Sequence, residues 1–221
     1  MVDADLGMNM PSKIQPDGLT ATVRSQVDDS SPFYGALMRS EFPLGNRLAR
    51  LGWAVVWWIL FRPSPVPFHA WRRMLLTLFG ARLARTACVY PSARIWAPWN
   101  LEMREGSCIG PDVYCYDIGP VCLGVDATVS MGTTLCTASH DLADHERGLV
   151  LGCIDIGRGA WVFAEAFIGI DVAIGEGAVV GARAVVVRDV AAYDIVAGNP
   201  ARVIGRRQWP SAPGRPEGSA S

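Results

Sequence analysis

From Ile156 to Val190 a β-branched aliphatic residue returns at every sixth position: Ile156, Val162, Ile168, Ile174, Val180 and Val186. Four residues after each stands a small or β-branched one: Ala160, Ala166, Val172, Ala178, Ala184 and Val190. A six-residue step turns an α-helix by roughly 240°, so these side chains could not share one helical face. Six is a multiple of the two-residue strand period, and short strands joined by turns can point every repeat's aliphatic the same way. Gly157, Gly169, Gly175 and Gly181 directly follow four of the aliphatics, as expected where backbone must bend or approach closely. The pattern predicts a solenoid whose repeats bury their apolar side only by stacking.

Upstream the period continues in a looser form through Val89 and Ile95, then Met103, Ile109 and Cys115, then Leu123, Val129 and Leu135. Phase shifts at Leu101 and Val121 read as small bulges in the solenoid wall. The period stops between 137 and 153, where TASHDLADHERGLVLGC is polar for most of its length, and it resumes at Ile156. A loop expelled from a regular solenoid is a natural place for function.

Ahead of the repeats, Leu48 to Phe61 is an apolar helical segment too short for the roughly 20 residues that cross a bilayer, and it contains Arg50. Pro63, Pro65 and Pro67 break it, and Phe68 to Phe79 reads as a second helix ended by Gly80. Two readings of these helices compete. They cover the open first coil, as solenoid ends require, or they attach the protein to a membrane surface. The cap is the preferred reading, and surface exposure is what separates the two.

With 221 residues, half of them apolar, the chain can bury one main domain. We divide it into a tail over 1–31, a helical cap over 32–86, a β-helix over 87–207 with its expelled loop, and a Pro/Gly/Ser-rich tail over 208–221. A net charge of −1 gives no support for a nucleic-acid partner. The polar, acidic N-terminus is unlike a secretory signal and points to the cytoplasm. Six cysteines without a C-x-x-C pair read as small buried side chains in a reducing compartment.

The run SHD at 139–141, IGRGAW at 156–161, IGEGAVVGARAVVVRDV at 174–190 and AGNPARVIGRR at 197–207 resembles the hexapeptide-repeat acyltransferases. FRPSPVPFHAWRRMLLTLFGA at 61–81 and YPSARIWAPWNLEM at 90–103 narrow the likeness to the colanic-acid-biosynthesis acetyltransferases, near relatives of the maltose and galactoside O-acetyltransferases. The resemblance covers about residues 38–207 and implies an all-β solenoid, a left-handed parallel β-helix, assembled as a homotrimer with active sites between subunits. It also implies acetyl-CoA as acyl donor, with a sugar or polysaccharide precursor as acceptor. A non-sugar metabolite as acceptor, or a non-catalytic β-helix scaffold, are the alternatives.

Acetyl transfer to a hydroxyl needs a base near neutral pH, which an imidazole supplies. The chain has only His69, His140 and His145. His140 matches the family's catalytic histidine, whereas His69 reads as a cap residue and His145 as a solvated loop side chain. A zinc site of the γ-class carbonic anhydrase kind would need all three histidines, one of them from the cap, so no metal is expected. Asp117 aligns with a substrate-side acid, with Asp112 a weaker candidate, and both also fit as turn aspartates. Glu146 stands near the place of the relatives' orienting glutamate without aligning to it. Matching places Trp161, Ala164, Ala182, Val187, Arg188 and Arg202 along the donor groove, with Arg188 and Arg202 toward the nucleotide phosphates. Two departures stand out: Phe163 where relatives carry Gly, and Ile170-Asp171 where they often carry Pro-Gly.

Overall fold

A computed structural model describes residues 44–140 and 149–208 of the chain. Each six-residue repeat forms one short strand and one turn, and three repeats complete a coil, so the aliphatics form three inward columns of a left-handed parallel β-helix. The first face stacks Arg82–Leu83, Leu101–Met103, Val121–Leu123, Ile154–Ile156 and Val172–Ile174. The second stacks Cys88–Val89, Cys108–Ile109, Thr128–Val129, Trp161–Val162, Val179–Val180 and Asp194–Ala197, closed by the antiparallel strand Arg202–Arg206. Arg94–Ile95, Tyr114–Tyr116, Thr134–Cys136, Phe167–Ile168 and Val185–Val186 make the third. Ladder partners keep the repeat in register: Ile168 lies beside Leu135 and Val186, and Val162 beside Val129 and Val180. All six aliphatics from Ile156 to Val186 are buried in one continuous core.

The glycines do what close packing requires. A Cβ on Gly157 would stand 2.8 Å from the Glu176 amide nitrogen, and one on Gly175 would stand 2.4 Å from that of Ala192. Left-handed turn positions fall elsewhere. Asp112, Gly132, Glu165 and Arg183 take positive φ at the corner between the second and third faces. There the amide of each later residue meets the carbonyl of the coil before, as in Gly132 to Pro111, Glu165 to Met131 and Arg183 to Ala164. Glu165 and Arg183 meet in a 2.6 Å ion pair across two such turns.

The helices close the first coil with side-chain donors. Helix α1, Leu44–Val56, continues as a π-turn over Trp57–Phe61, and helix α2 covers His69–Leu78. An end strand leaves backbone carbonyls without ladder partners, and burying them unpaired is costly. Trp53 and Trp57 donate their indole N–H groups to Ile95 O at 2.7 Å and Ala93 O at 2.8 Å. Arg72 Nε reaches Val89 O at 2.6 Å, and Arg73 Nη1 reaches Ala87 O at 2.9 Å. Trp53, Trp57, Phe61, Leu75 and Leu76 fill the space beneath. The cap reading of the helices is therefore met by hydrogen bonds as well as by apolar cover.

Several expectations change in detail. The wall begins at Arg82 rather than at 87. The two phase shifts are not bulges inside a strand. They are extra turns at the corner between the third and first faces, a 3-10 turn at Pro98–Asn100 and a bend before Val121. Of the cysteines, only Cys115 is fully buried. The other five are half-buried because they occupy positions that alternate with the inward column. All six are free thiols, and burial pushes Cys108 up to about 11 and Cys122 and Cys153 up to about 12. The N-terminal tail at 1–31, residues 209–221 of the C-terminal tail, His145 and Glu146 lie outside the described residues.

Candidate active site

The expelled loop leaves the same corner as the two smaller insertions. Ala138–His140 pairs antiparallel with Leu149–Leu151, with Ser139 opposite Val150 and His140 opposite Leu149. Ser139 and His140 are exposed on this hairpin. Its root is polar and buried, although the surrounding core is aliphatic.

Three stacked residues build that root. Asn100 Nδ2 donates to the carbonyls of Asp117 and Ile118 at 2.8 and 2.6 Å. Asp117 Oδ1 accepts the amides of Trp96 and Ala97 at 2.8 and 2.9 Å. Thr137 Oγ1 accepts the Gly119 amide at 2.8 Å and donates to Tyr116 O at 3.0 Å. The Thr137 carbonyl then receives the Gly152 amide at 2.9 Å, which ties the two ends of the loop together. A Cβ on Gly119 would lie 2.2 Å from Gly152 O, so only glycine lets the lower insertion pass beneath the hairpin. Asn100, Asp117 and Thr137 are all among the buried polar residues of the chain.

Asp117 is fully buried and its position is that of a backbone clamp. Burial pushes its carboxyl up to about 7 against the opposing pull of the backbone amides it accepts. Oδ2 is buried without a hydrogen-bond partner among the described residues. Asp112 sits at a corner in the left-handed conformation with φ 55°, and its amide donates to Ser92 Oγ. Outside the clamp, Tyr116 packs edge-on against Trp96 at 5.2 Å and stacks with Tyr114 at 5.9 Å, forming an aromatic panel on the third face. Burial, with Tyr116 next, raises the Tyr114 phenol above its usual range.

His69 joins the cap. Its Nδ1 stands 3.1 Å from Val89 O and 3.1 Å from Arg72 Nη2, and burial holds the imidazole below its ordinary range, with Arg72 and Arg73 adding to the effect. Among the described residues no group of three His, Cys, Asp or Glu side chains could hold a metal ion.

The proposed donor residues fall into two groups. Trp161 projects from the second face, where its Nε1 donates to Ser130 Oγ at 3.0 Å. Phe163 stacks on it with ring centroids 4.8 Å apart and planes 17° apart, and both rings are exposed. Ala164 and Ala182 follow at the corner between the second and third faces, in successive coils joined by the Arg183 amide to Ala164 O bond. Arg202 pairs opposite Ala197 on the closing strand beside this corner, exposed, with Nη1 on Ala201 O. Val187 and Arg188 instead follow Val186 at the far end of the third face, toward the first-face corner, and both are exposed. The hairpin bearing His140 stands on that latter corner too. Within one chain the histidine and the Trp161 group are thus separated by the third face.

Sequence reasoning singles out Asp117 but misses Asn100 and Thr137. Their signal is present: each is a polar residue beside a break in the aliphatic period, where an inward position demands a hydrogen-bonded role. Arg72 carries no comparable signal, because the carbonyls it meets come from the proline segment and from a strand distant in sequence.

No family model matches the chain. It is 36% identical over 163 residues to a protein of Escherichia coli strain K12 named as a colanic acid biosynthesis acetyltransferase, WcaF, an alignment covering 74% of this chain and 90% of that one. A hexapeptide-repeat-containing acetyltransferase from Vibrio cholerae O1 biovar eltor, solved with acetyl coenzyme A, superposes with a TM-score of 0.68 at 23% identity over 79% of this chain and 97% of the other. A galactoside acetyltransferase solved with coenzyme A gives a TM-score of 0.66 at 21% identity, over 79% and 90% of the two chains. The structural likenesses speak for the fold, and the identity to WcaF over nine-tenths of its length speaks for kinship. The chain belongs to the hexapeptide-repeat acetyltransferases, in the group that includes WcaF.

Proposed function

We propose that the protein transfers an acetyl group from acetyl-CoA to a hydroxyl of a sugar or polysaccharide precursor, with His140 as general base. The imidazole takes the hydroxyl proton as the oxygen attacks the thioester carbon. The carbon–sulfur bond then breaks, and the leaving thiolate recovers the proton from the imidazolium. Backbone amides stabilise the tetrahedral oxyanion between the two steps.

The observation that carries this reading is the hairpin root. A buried Asn100–Asp117–Thr137 ladder fixes the strand that presents Ser139 and His140 to solvent. A rigid mount of this kind is what a positioned base requires. The separation of His140 from Trp161, Ala164 and Ala182 by a whole face supports a site assembled between subunits, in which a neighbour's wall supplies the donor groove. A homotrimer satisfies that geometry.

Release of free thiol from acetyl-CoA, assayed over a panel of sugar, polysaccharide-precursor and non-sugar hydroxyl acceptors, tests the proposal. Turnover with saccharide acceptors is expected. Activity confined to a non-sugar scaffold overturns the acceptor class, and no thiol release with any acceptor overturns the reaction.

A further inference from the structure

Helix α1 has two apolar faces, and the cap uses only one. Trp53 and Trp57 point into the solenoid end. On the opposite side Leu44, Leu48, Leu51, Val55, Trp58 and Ile59 recur at spacings of three and four residues and are exposed, Leu48 by 67%, Trp58 by 62% and Ile59 by 64%. With the π-turn the helix is about 27 Å long, so the stripe runs over several turns. Its far end merges with α2 where Trp71 Nε1 donates to Leu60 O at 3.0 Å, and there Leu60, Trp71 and the neighbouring Phe68 are also exposed. A soluble surface seldom carries such a continuous apolar area without a partner.

The charge around the stripe identifies that partner. Residues 44–101 contain eight arginines and neither Asp nor Glu. Arg72 is buried in the cap and Arg82 pairs with Glu102, whereas Arg47 and Arg62 are exposed beside the stripe. The Arg62 guanidinium lies 4.8 Å from the centroid of Trp58. A second copy of the chain laid on the stripe would bring the same cations together, while an anionic surface neutralises them. No helix among the described residues is long and apolar enough to cross a membrane. We infer that the outer face of α1 with the α1–α2 junction docks on an anionic lipid surface, lying in the interface with Trp58 and Trp71 at headgroup level and Arg47 and Arg62 on lipid phosphates.

The test is flotation of the full chain with vesicles of phosphatidylcholine alone or of phosphatidylcholine mixed with phosphatidylglycerol. Binding to the anionic vesicles at least about tenfold tighter than to the neutral ones is expected, weakening as salt rises. Combined Leu48→Ser, Trp58→Ser and Ile59→Ser should abolish flotation. Arg47→Glu with Arg62→Glu should erase the preference for anionic vesicles. Both variants change exposed residues, so an unchanged thermal midpoint certifies the fold. Failure of the full chain to float overturns the inference, as does equal flotation of the serine variant. A smaller particle mass for the serine variant than for the parent, measured without lipid, also overturns it by making the stripe a contact between copies.

Discussion

Gly119 and Thr137 are joined by a 2.8 Å hydrogen bond from the glycine amide to the threonine hydroxyl, at the point where the hairpin bearing His140 leaves the wall. The same hydroxyl donates to Tyr116 O, so one side chain makes both bonds to the neighbouring coil. Thr137→Val keeps the shape and removes both bonds, leaving the Gly119 amide buried without an acceptor. A loss of about 1–3 kcal/mol is expected. Thermal unfolding should show a lowered midpoint for Thr137→Val and a nearly normal one for Thr137→Ser. Acetyl transfer should follow the same order, because the hairpin that carries His140 is rooted there.

Asp117 makes stability depend on pH in an unusual direction for an aspartate. Its folded carboxyl is pushed up to about 7, above the ordinary value of 3.8, chiefly by burial. Below the ordinary value both folded and unfolded chains hold the proton and nothing is lost. Between the two values the folded state binds more protons than the unfolded state, so this group's contribution falls as pH rises, with a slope approaching 1.4 kcal/mol per pH unit at most, roughly. Above about 7 the loss is complete and constant. Asp117→Asn keeps an oxygen for the Trp96 and Ala97 amides and cannot ionise. Its unfolding free energy relative to the parent should therefore rise between pH 5 and 7, roughly, and level off above, as denaturant titrations at several pH values would read. A pH-independent difference would show that the carboxyl does not change charge in this window.

Arg72 is a wholly buried cation that meets no carboxylate among the described residues; instead its fork spans Val89 O, Pro65 O, Val66 O and Ser64 Oγ. Burial lowers the guanidinium from its usual value. Arg72→Met strands those acceptors at about 1–3 kcal/mol for each one that water does not reach. A single ammonium cannot copy the fork, so Arg72→Lys should also lower the thermal midpoint measurably.

Phe163 covers one side of the Trp161 indole. If the indole borders the acyl group, Phe163→Ala opens room beside it and should raise the use of propionyl-CoA relative to acetyl-CoA by up to about tenfold. Trp161→Ala should raise the KM for acetyl-CoA. Because both rings are exposed, neither variant should shift stability by more than about 1 kcal/mol.

The aliphatic columns were legible from Ile156 to Val190 because a six-residue step cannot keep to one helical face but fits short strands joined by turns, whereas the hand of the winding came from the family resemblance. The helical cap was legible for a related reason: the apolar segments Leu48 to Phe61 and Phe68 to Phe79, parted by Pro63, Pro65 and Pro67, stand ahead of an open solenoid end. Asn100 and Thr137 were harder to read, since their roles depend on carbonyls and amides one coil away, at 17 to 21 residues' distance. The second apolar face of α1 was equally hidden. Leu48 and Trp53 look alike in sequence, and only the position of the solenoid end tells which of them is covered. Phe163, flagged as a departure from the family, proves to be part of a stacked pair rather than an isolated bulky ring.

The central claim is that His140 is the base. Steady-state acetyl transfer by His140→Ala, compared with the parent at saturating acetyl-CoA and acceptor, addresses it directly. The side chain is exposed on the hairpin, so the thermal midpoint and the affinity for CoA should hold while kcat falls by about 10²–10⁴-fold. Unchanged turnover in a folded, CoA-binding variant would contradict the account.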